Sequence, residues 1–478
     1  SGAKLIHYVA NNGYLVWANE SSRAQLNQMA NNQSMVQFSA PYTKTFKMGT
    51  TIKERLNQNA NSDEVVNVNI QLTDSPYSEK SMSIINGLVE TVNQPWSKAM
   101  NFHSVRVSIK VSNIDTVLNL VDSYWVNEYF EITLNDEVQN QILAADFAPG
   151  NAEPAMPGYA DFLNNLGFPT DPSEYPVVDV TDDGIGTGNL ASGDPTFHEG
   201  GDVNNPNRLS YIANCTAAAN GESIGGHGHL NTNIVGGFES RVGFPYVDPN
   251  GYIRTQGVNP FTRLAGTRIF GPTFDIGACG GTSVGLIQSV QDSGAQIMSN
   301  SWGCSTCAAS YDDFSQAFDV GIRDADLNEA GNQELIVVFS AGNSGSSAGT
   351  VGTPGNGKNM ITVGASENYR PTDEDGNWTD GCNVAPTGAD SAMDVIGFSS
   401  RGPSPGGRAK PEVIAPGTHV HGTASCGGSY DGSGVCDQYR PGSQTTIAAS
   451  SGTSHSAPAV AGVTSLAYYW LENPPPTV

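Results

Sequence analysis

The sequence predicts an α/β protein whose parallel central sheet follows a small α+β domain, and three observations carry that expectation. From Tyr159 onward, short apolar runs alternate with helical stretches; strands that are apolar on both faces belong to a sheet covered by helices on both sides. Residues 1–140 differ in composition, being rich in Asn, Ser and Gln and short of Gly. Between the two, residues 147–158 carry three prolines and two glycines and read as a linker. The chain of 478 residues is long enough for a large core, and its 55 glycines with only 14% charged residues mark a loop-rich globular protein.

The N-terminal region shows two related passages. In the first, a strand at 14–17 leads past the capping candidates Asn19 and Ser21 to a helix at 24–29 and a strand at 35–42. In the second, the alternation Val105, Val107, Ile109, Val111 leads past Asn113 to a helix at 117–121 and a strand at 125–132. A further helix at 82–92 follows a strand at Val66, Val68 and Ile70. Doubled β-α-β units of this size predict a ferredoxin-like sandwich. In the second half, strands are expected at 176–181, 263–270, 296–299, 334–339, 359–363 and 411–414, with helices at 282–291 and 314–329 between them. The expected layout is a first domain over 1–140, a linker and processing region over 141–158, an α/β domain over 159–472 and a Pro-rich linker start over 473–478, after which a further domain is expected to have been lost.

Charge excludes whole function classes. Twenty-two basic residues stand against 47 acidic ones, a formal net charge of −25; such a surface repels phosphate backbones and anionic headgroups, so neither nucleic acid nor membrane is an expected partner. Apolar runs such as 335–339 fall far short of the roughly 18 residues that span a bilayer. The chain opens at Ser1 with neither an initiator Met nor a leader, so any secretion signal is expected to have been removed. Seven cysteines, all beyond residue 214, include two pairs close in sequence, Cys304 with Cys307 and Cys426 with Cys436. Each pair is open between a disulfide and buried thiols, and Cys304-x-x-Cys307 also to half a zinc site for which no second half follows.

Four segments bear chemistry. In Ser451-Gly452-Thr453-Ser454-His455-Ser456-Ala457-Pro458, a serine sits in a small-residue turn just ahead of an apolar helix, where the positive helix terminus favours an oxyanion; the competing reading is a plain N-cap. The strand ending at Asp182-Asp183-Gly184 leaves a carboxylate at the carboxyl edge of a parallel sheet, where sites of open α/β sheets lie. Gly226-His227-Gly228-His229 opens an apolar helical stretch, and the strand at 336–339 runs into Ser340-Ala341-Gly342-Asn343, a tight turn that can aim an amide into a cleft.

In the order Asp, His, Asn, Ser these residues resemble the subtilisin-like serine proteases, over roughly residues 160–472. Asn300-Ser301-Trp302-Gly303 is similar to that family's substrate-lining strand, Gly257-Val258-Asn259-Pro260 to a family turn, and Phe398-Ser399-Ser400-Arg401-Gly402-Pro403 with the segment 410–417 to the stretch before its serine. The resemblance implies a subtilisin-like three-layer fold and a secreted serine endopeptidase with Ser454 as nucleophile, His227 as base, Asp182 as orienting acid and Asn343 as oxyanion donor. It implies Ser301, Trp302 and Gly303 facing Ser340, Ala341 and Gly342 as pocket walls, which suits a large apolar side chain before the scissile bond. One departure stands out: the family's usual His-Gly-Thr-His-Val-Ala-Gly is here His227-Gly228-His229-Leu230-Asn231-Thr232-Asn233. That leaves His229 as the alternative base and a pseudoprotease that binds a peptide or partner without cutting as the alternative function.

The family commonly carries an α+β prodomain that chaperones and inhibits, so residues 1–140 are expected to be one, cut off autocatalytically at about 132–158; a permanent accessory domain is the alternative. Structural calcium is common in the family. Asp373, Asp375, Asn377 and Asp380 around Gly376, and Asp248 with Asn250, are candidate ligands, equally read as turn chemistry. Asn19, Asn32, Asn214 and Asn377 sit in Asn-x-Ser/Thr sequons.

Overall fold

The structure, a computed structural model, describes residues 3–9, 13–31, 38–59, 62–99, 102–128, 138–144, 154, 158–191, 193–304, 311–370 and 376–473. The chain divides into two compact units, Ser1–Glu131 and Ile132–Pro476.

In the first unit, β1 (Ala3–Val9) and β2 (Gly13–Ala18) form an antiparallel ribbon, followed by α1 (Glu20–Asn31) and α2 (Thr50–Asn59). Asn19 caps α1, its Oδ1 accepting from the Ser22 N–H at 2.9 Å. Then come β3 (Val65–Thr73), α3 (Ser78–Asn86), β4 (Val89–Ala99), β5 (Phe102–Lys110), α4 (Val111–Leu118) and β6 (Ser123–Glu128). They form a four-stranded antiparallel sheet in the order β4-β5-β3-β6, a ferredoxin-like βαββαβ unit. The true repeat is therefore β3-α3-β4 and β5-α4-β6. Of the passage expected at 14–42, β2 pairs with β1 and α1 follows, both outside this sheet, while residues 32–37, where the strand expected at 35–42 begins, lie outside the described residues; the helix expected at 82–92 stops at Asn86, because Gly87 ends it and Val89 opens β4. Strict alternation selects the core: Val66, Val68, Ile70 and Leu72 of β3 and Val105, Val107 and Ile109 of β5 pack with Ile114, Val117 and Leu118 of α4.

The second unit begins with α5 (Val138–Leu143) and α6 (Tyr159–Asn165). Thus α5, which the sequence reading divides between the first domain and the linker, packs with the peptidase-like unit. The order continues with β7 (Val177–Asp182), β8 (Thr187–Gly188), β9 (Leu209–Asn214), β10 (Gly221–Glu222), α7 (His227–Gly236), β11 (Arg263–Arg268), α8 (Ser283–Asp292), β12 (Ile297–Asn300), α9 (Asp313–Gly321), β13 (Ile336–Ser340), β14 (Ile361–Ser366), β15 (Val413–Pro416), β16 (Val420–Thr423), β17 (Ile447–Ser450) and α10 (Thr453–Glu472). Seven strands make one all-parallel sheet in the order β15-β14-β13-β12-β7-β11-β9.

Three layers follow from side-chain alternation. Val178 and Val180 of β7 join Leu230, Ile234, Ala457 and Ala461 beneath α7 and α10. Val177, Met298 and Phe339 meet Leu286, Ile287 and Phe318 of α8 and α9 on the other face. The chain leaves β7 toward β9 and β11 on one side and returns to β12 on the other, so the loops after β7 and β12 diverge and open a crevice at the carboxyl edge.

Cysteine pairing departs from sequence proximity. Cys436 is bonded to Cys382 rather than to Cys426, and Cys215 to Cys279. The backbone explains the first: a Cβ on Gly381 would lie 1.9 Å from the Cys436 carbonyl oxygen, so the 381–382 turn rests directly on the Cys436 backbone. Cys304 is disulfide-bonded, while Cys307, its expected partner, lies outside the described residues. The helix expected at 314–329 ends at Gly321, and further on the Asp326 side chain accepts from the Asn328 N–H in a separate turn.

Candidate active site

Asp182 ends β7, and its carboxylate meets His227 at the first position of α7, with Nδ1 2.8 Å from Oδ1 and 2.9 Å from Oδ2. Glycines make this approach possible. Gly226 precedes the helix at φ 86°, and a Cβ there would lie 2.4 Å from the Tyr430 ring. On Gly228 a Cβ would lie 2.6 Å from the Gly184 carbonyl oxygen and 2.9 Å from the Asp182 Cβ. Burial works most strongly against the charged His227 imidazolium, but attraction to Asp182 and the hydrogen bond to it, with help from Asp183, raise the group to about 9.

His229 occupies the other side of α7 and is fully buried. Its Nδ1 accepts from the Gly186 N–H at 3.1 Å and its Nε2 donates to Asp194 Oδ2 at 2.8 Å, with the Phe197 ring edge-on beside it. Burial opposes charge on Asp194, but the His229 hydrogen bond and the Thr196 and Thr423 donors hold it at about 2. His229 is thus held by Asp194 and Gly186, while the hydrogen bonds of Asp182 run to His227.

Ser454 lies in the first turn of α10. Pro458 lacks the N–H that would bond the Ser454 carbonyl, and the Ser301 Oγ supplies the donor instead at 2.7 Å. The Ser454 hydroxyl lies 3.3 Å from the Ser301 carbonyl oxygen. Asn343 follows β13, and its Oδ1 accepts from both the N–H and the hydroxyl of Thr453, each at 2.9 Å. Its Nδ2 is thereby turned outward beside Gly452, where a Cβ would crowd it at 3.2 Å.

Ser301, Trp302 and Gly303 on one wall and Ser340, Ala341 and Gly342 on the other enclose a cavity of about 480 Å³ with Asn343 and Ser454 at its mouth. No described residue lining it is charged. Trp302 is fixed from below by edge-on contacts with Phe318 and Phe339. A second cavity, about 550 Å³, adjoins it and is lined by Asp182, Asp183, His227, Arg268 and Asp431.

Three residues not singled out in the sequence belong to the site. Asp183 Oδ1 accepts from the Ser223 hydroxyl and the Gly228 N–H, both at 2.7 Å, and burial together with the Asp182 charge raises its carboxyl. Asn231 lies 3.1 Å from Asp182, and His455 lies 2.9 Å from Asn231. Asn231 stands four residues beyond His227 on a helix, a spacing that places both on one face.

Two of the calcium candidates, Asp248 and Asp380, are engaged by protein donors. Asp248 accepts from the N–H groups of Asn250 and Tyr252 and pairs with buried Arg370 at 3.1 Å. Asp380 accepts from the N–H groups of Cys382 and Val384 and from the Ser451 hydroxyl. Asp373 and Asp375 lie outside the described residues.

This is the acid, base and serine order of a subtilisin-like fold, and residues 173–474 match the Subtilase family. The chain belongs to that family of serine peptidases. It is similar to serine protease AprX of Bacillus subtilis (strain 168), 33% identical over 140 residues, a match spanning 29% of this chain and 27% of that protein. Among solved structures, sphericase is 21% identical with a TM-score of 0.37, covering 63% of this chain and 80% of its own. The prenylagaramide maturation protease PagA is 16% identical with a TM-score of 0.38, covering 66% and 82%.

Proposed function

We propose that the protein is a secreted serine endopeptidase, made as a precursor that processes itself. Ser454 Oγ attacks a peptide carbonyl while His227 removes its proton; the C–N bond then breaks as His227 returns that proton to the leaving amine, and water hydrolyses the acyl-enzyme by the same route. Asp182 holds the imidazole with Nδ1–H toward itself, and Asn343 Nδ2 with the Ser454 N–H faces the developing oxyanion. The observation that carries the reading is the coincidence of an Asp182–His227 pair at 2.8 Å with an Asn343 amide whose oxygen is already bonded to Thr453, leaving only its donor for the cleft. The uncharged cavity behind Ser301 supports a large apolar residue before the scissile bond. Disulfides Cys215–Cys279 and Cys382–Cys436 support an oxidising, extracellular setting. The ferredoxin-like first unit supports a prodomain that acts on its own peptidase unit.

An intact-mass time course on freshly folded protein beside Ser454→Ala tests this. The parent is expected to shed an N-terminal piece and the variant to stay whole. Should both stay whole and no peptide be cut even after trypsin removes the first unit, the endopeptidase reading fails; cutting of peptides without self-processing would sink the precursor part alone.

A further inference from the structure

We propose that Asn231 and His455 form a positioning relay that sets the orientation and basicity of the Asp182–His227 pair, an inference that rests on the triad reading above. Asn231 lies one helical turn beyond His227 on α7, beneath the imidazole, and is completely buried. Its Nδ2 is 3.1 Å from Asp182 Oδ2. Its Oδ1 is 2.9 Å from Nδ1 of His455, itself 1% exposed and next in sequence to Ser454.

The chemistry of the three groups admits one arrangement. A carboxylate oxygen only accepts, so the Asn231 amide must turn its NH2 toward Asp182 and its carbonyl toward His455; His455 must then carry its proton on Nδ1. Burial, and after it the charge on His227, keeps His455 well below its ordinary range and therefore neutral, which suits a single Nδ1–H donor. Asp182 in turn has a full complement: the Asp183 N–H at 2.8 Å on Oδ1, Asn231 at 3.1 Å on Oδ2, and His227 across both. Without Asn231 the carboxylate could rotate about its Cβ–Cγ bond and meet the imidazole with one oxygen. Because a donor on Asp182 draws off negative charge, the same hydrogen bond restrains how far Asp182 raises the base. The relay also spans two elements, since Asn231 belongs to α7 and His455 to α10, which carries Ser454. The titratable and charged groups that face the base are Asp182 and Asp183 from the end of β7, His455 from α10, and Arg268 and Asp431 across the adjoining cavity, and of these Asp182 and Asp183 raise it.

The test is a set of pH–rate profiles for the full chain and for Asn231→Leu, His455→Phe, His455→Gln and Ser454→Ala, with kcat and KM read separately on a short apolar peptide. Losing a hydrogen bond to a charged group is expected to lower kcat about tenfold and move the limb assigned to His227 up by about one pH unit, with KM within about twofold. His455→Phe is expected to move the limb the same way by less, and His455→Gln, which keeps a donor, to recover most of that shift. The Asn231→Leu/His455→Phe pair is expected to be no worse than Asn231→Leu alone, as for groups acting in series. An unmoved limb in both Asn231→Leu and His455→Phe overturns the relay, and so does a kcat loss that tracks a fall in melting temperature. Full activity in Ser454→Ala overturns the triad reading instead. Should Asn231→Leu fail to fold, the His455 pair of variants decides the question.

Discussion

Asn343 reaches the mouth of the cavity with its amide oxygen already taken by Thr453, so the work left to it is donation. Replacing it by Leu keeps the shape and removes the donor; kcat is expected to fall by about 10²–10³ with KM little changed, and full progress curves on a short peptide measure both. His227 gives the second prediction. With its group raised to about 9, the resting enzyme at neutral pH holds an imidazolium that must lose its proton before it can accept one from Ser454. Activity is therefore expected to climb with pH and to reach half its maximum near pH 9; a limb near the ordinary histidine value of about 6.5 would mean that burial cancels the pull of Asp182 and Asp183 on the ring. His229 contrasts with it. Asp194, held at about 2, stabilises the fold fully above the ordinary carboxyl value near 3.9, and that contribution disappears as pH falls through 4 toward 2. His229→Phe is expected to lower the melting temperature at neutral pH and to flatten its fall between pH 4 and 2, while the alkaline limb of activity stays in place.

The start of α7 brings these residues together, and its glycines are the weak point of the design. Gly228→Ala sets a Cβ 2.6 Å from the Gly184 backbone and 2.9 Å from Asp182, which neither neighbour can relieve by rotating a side chain. The variant is expected to lose activity at least tenfold while remaining folded, since overpacking costs roughly 1–3 kcal/mol, checked by turnover beside circular dichroism. That a glycine must stand there is legible in the sequence, because Gly226 and Gly228 flank His227. So were β7, β12, β13 and β14, whose short, largely apolar segments suit a sheet covered on both faces. Strand β9 was not legible: it lies at the sheet edge, Ser210 is exposed and Tyr211 to Asn214 are only half-buried, so no run of apolar residues announces it. In the first unit, half-polar strands such as β4 blurred the repeat and shifted it onto a ribbon and helix outside the sheet. The placement of Asp182, His227 and Ser454 at element ends could be read, because apolar runs stop or start beside each of them. Asn231, His455 and Asp183 could not, since their roles rest on contacts between residues up to 224 positions apart.

At the scale of the whole molecule, the site depends on a segment that precedes the sheet. Helix α5 is six residues long and almost wholly polar in its middle, yet Gln139, Asn140 and Gln141 are all buried. Six such residues do not form a helix on their own, so tertiary contact holds them. Gln139 Nε2 donates to the carbonyls of Pro416 and His455, at 2.8 and 3.1 Å, and Asn140 Nδ2 to those of Gln256 and Gly257, both at 3.1 Å. One of these acceptors is the residue after Ser454, and another opens the turn that supports α7, whose Gly257 N–H bonds to the Gly237 carbonyl at 2.7 Å. Removing α5 would strip four buried carbonyls of donors, each loss worth about 1 kcal/mol or more, next to both the nucleophile and the base helix. If the protein processes itself, the cut is therefore expected upstream of Val138, leaving α5 on the peptidase unit, and N-terminal sequencing of the mature form reads that directly. A Gln139→Ala variant is expected to lower stability by roughly 1–3 kcal/mol in urea unfolding of the mature form and to reduce kcat more than it raises KM, because the carbonyl it deserts belongs to the turn that presents Ser454. A mature N-terminus beyond Leu143 with undiminished activity would show that these buried contacts serve folding of the precursor and not the working enzyme.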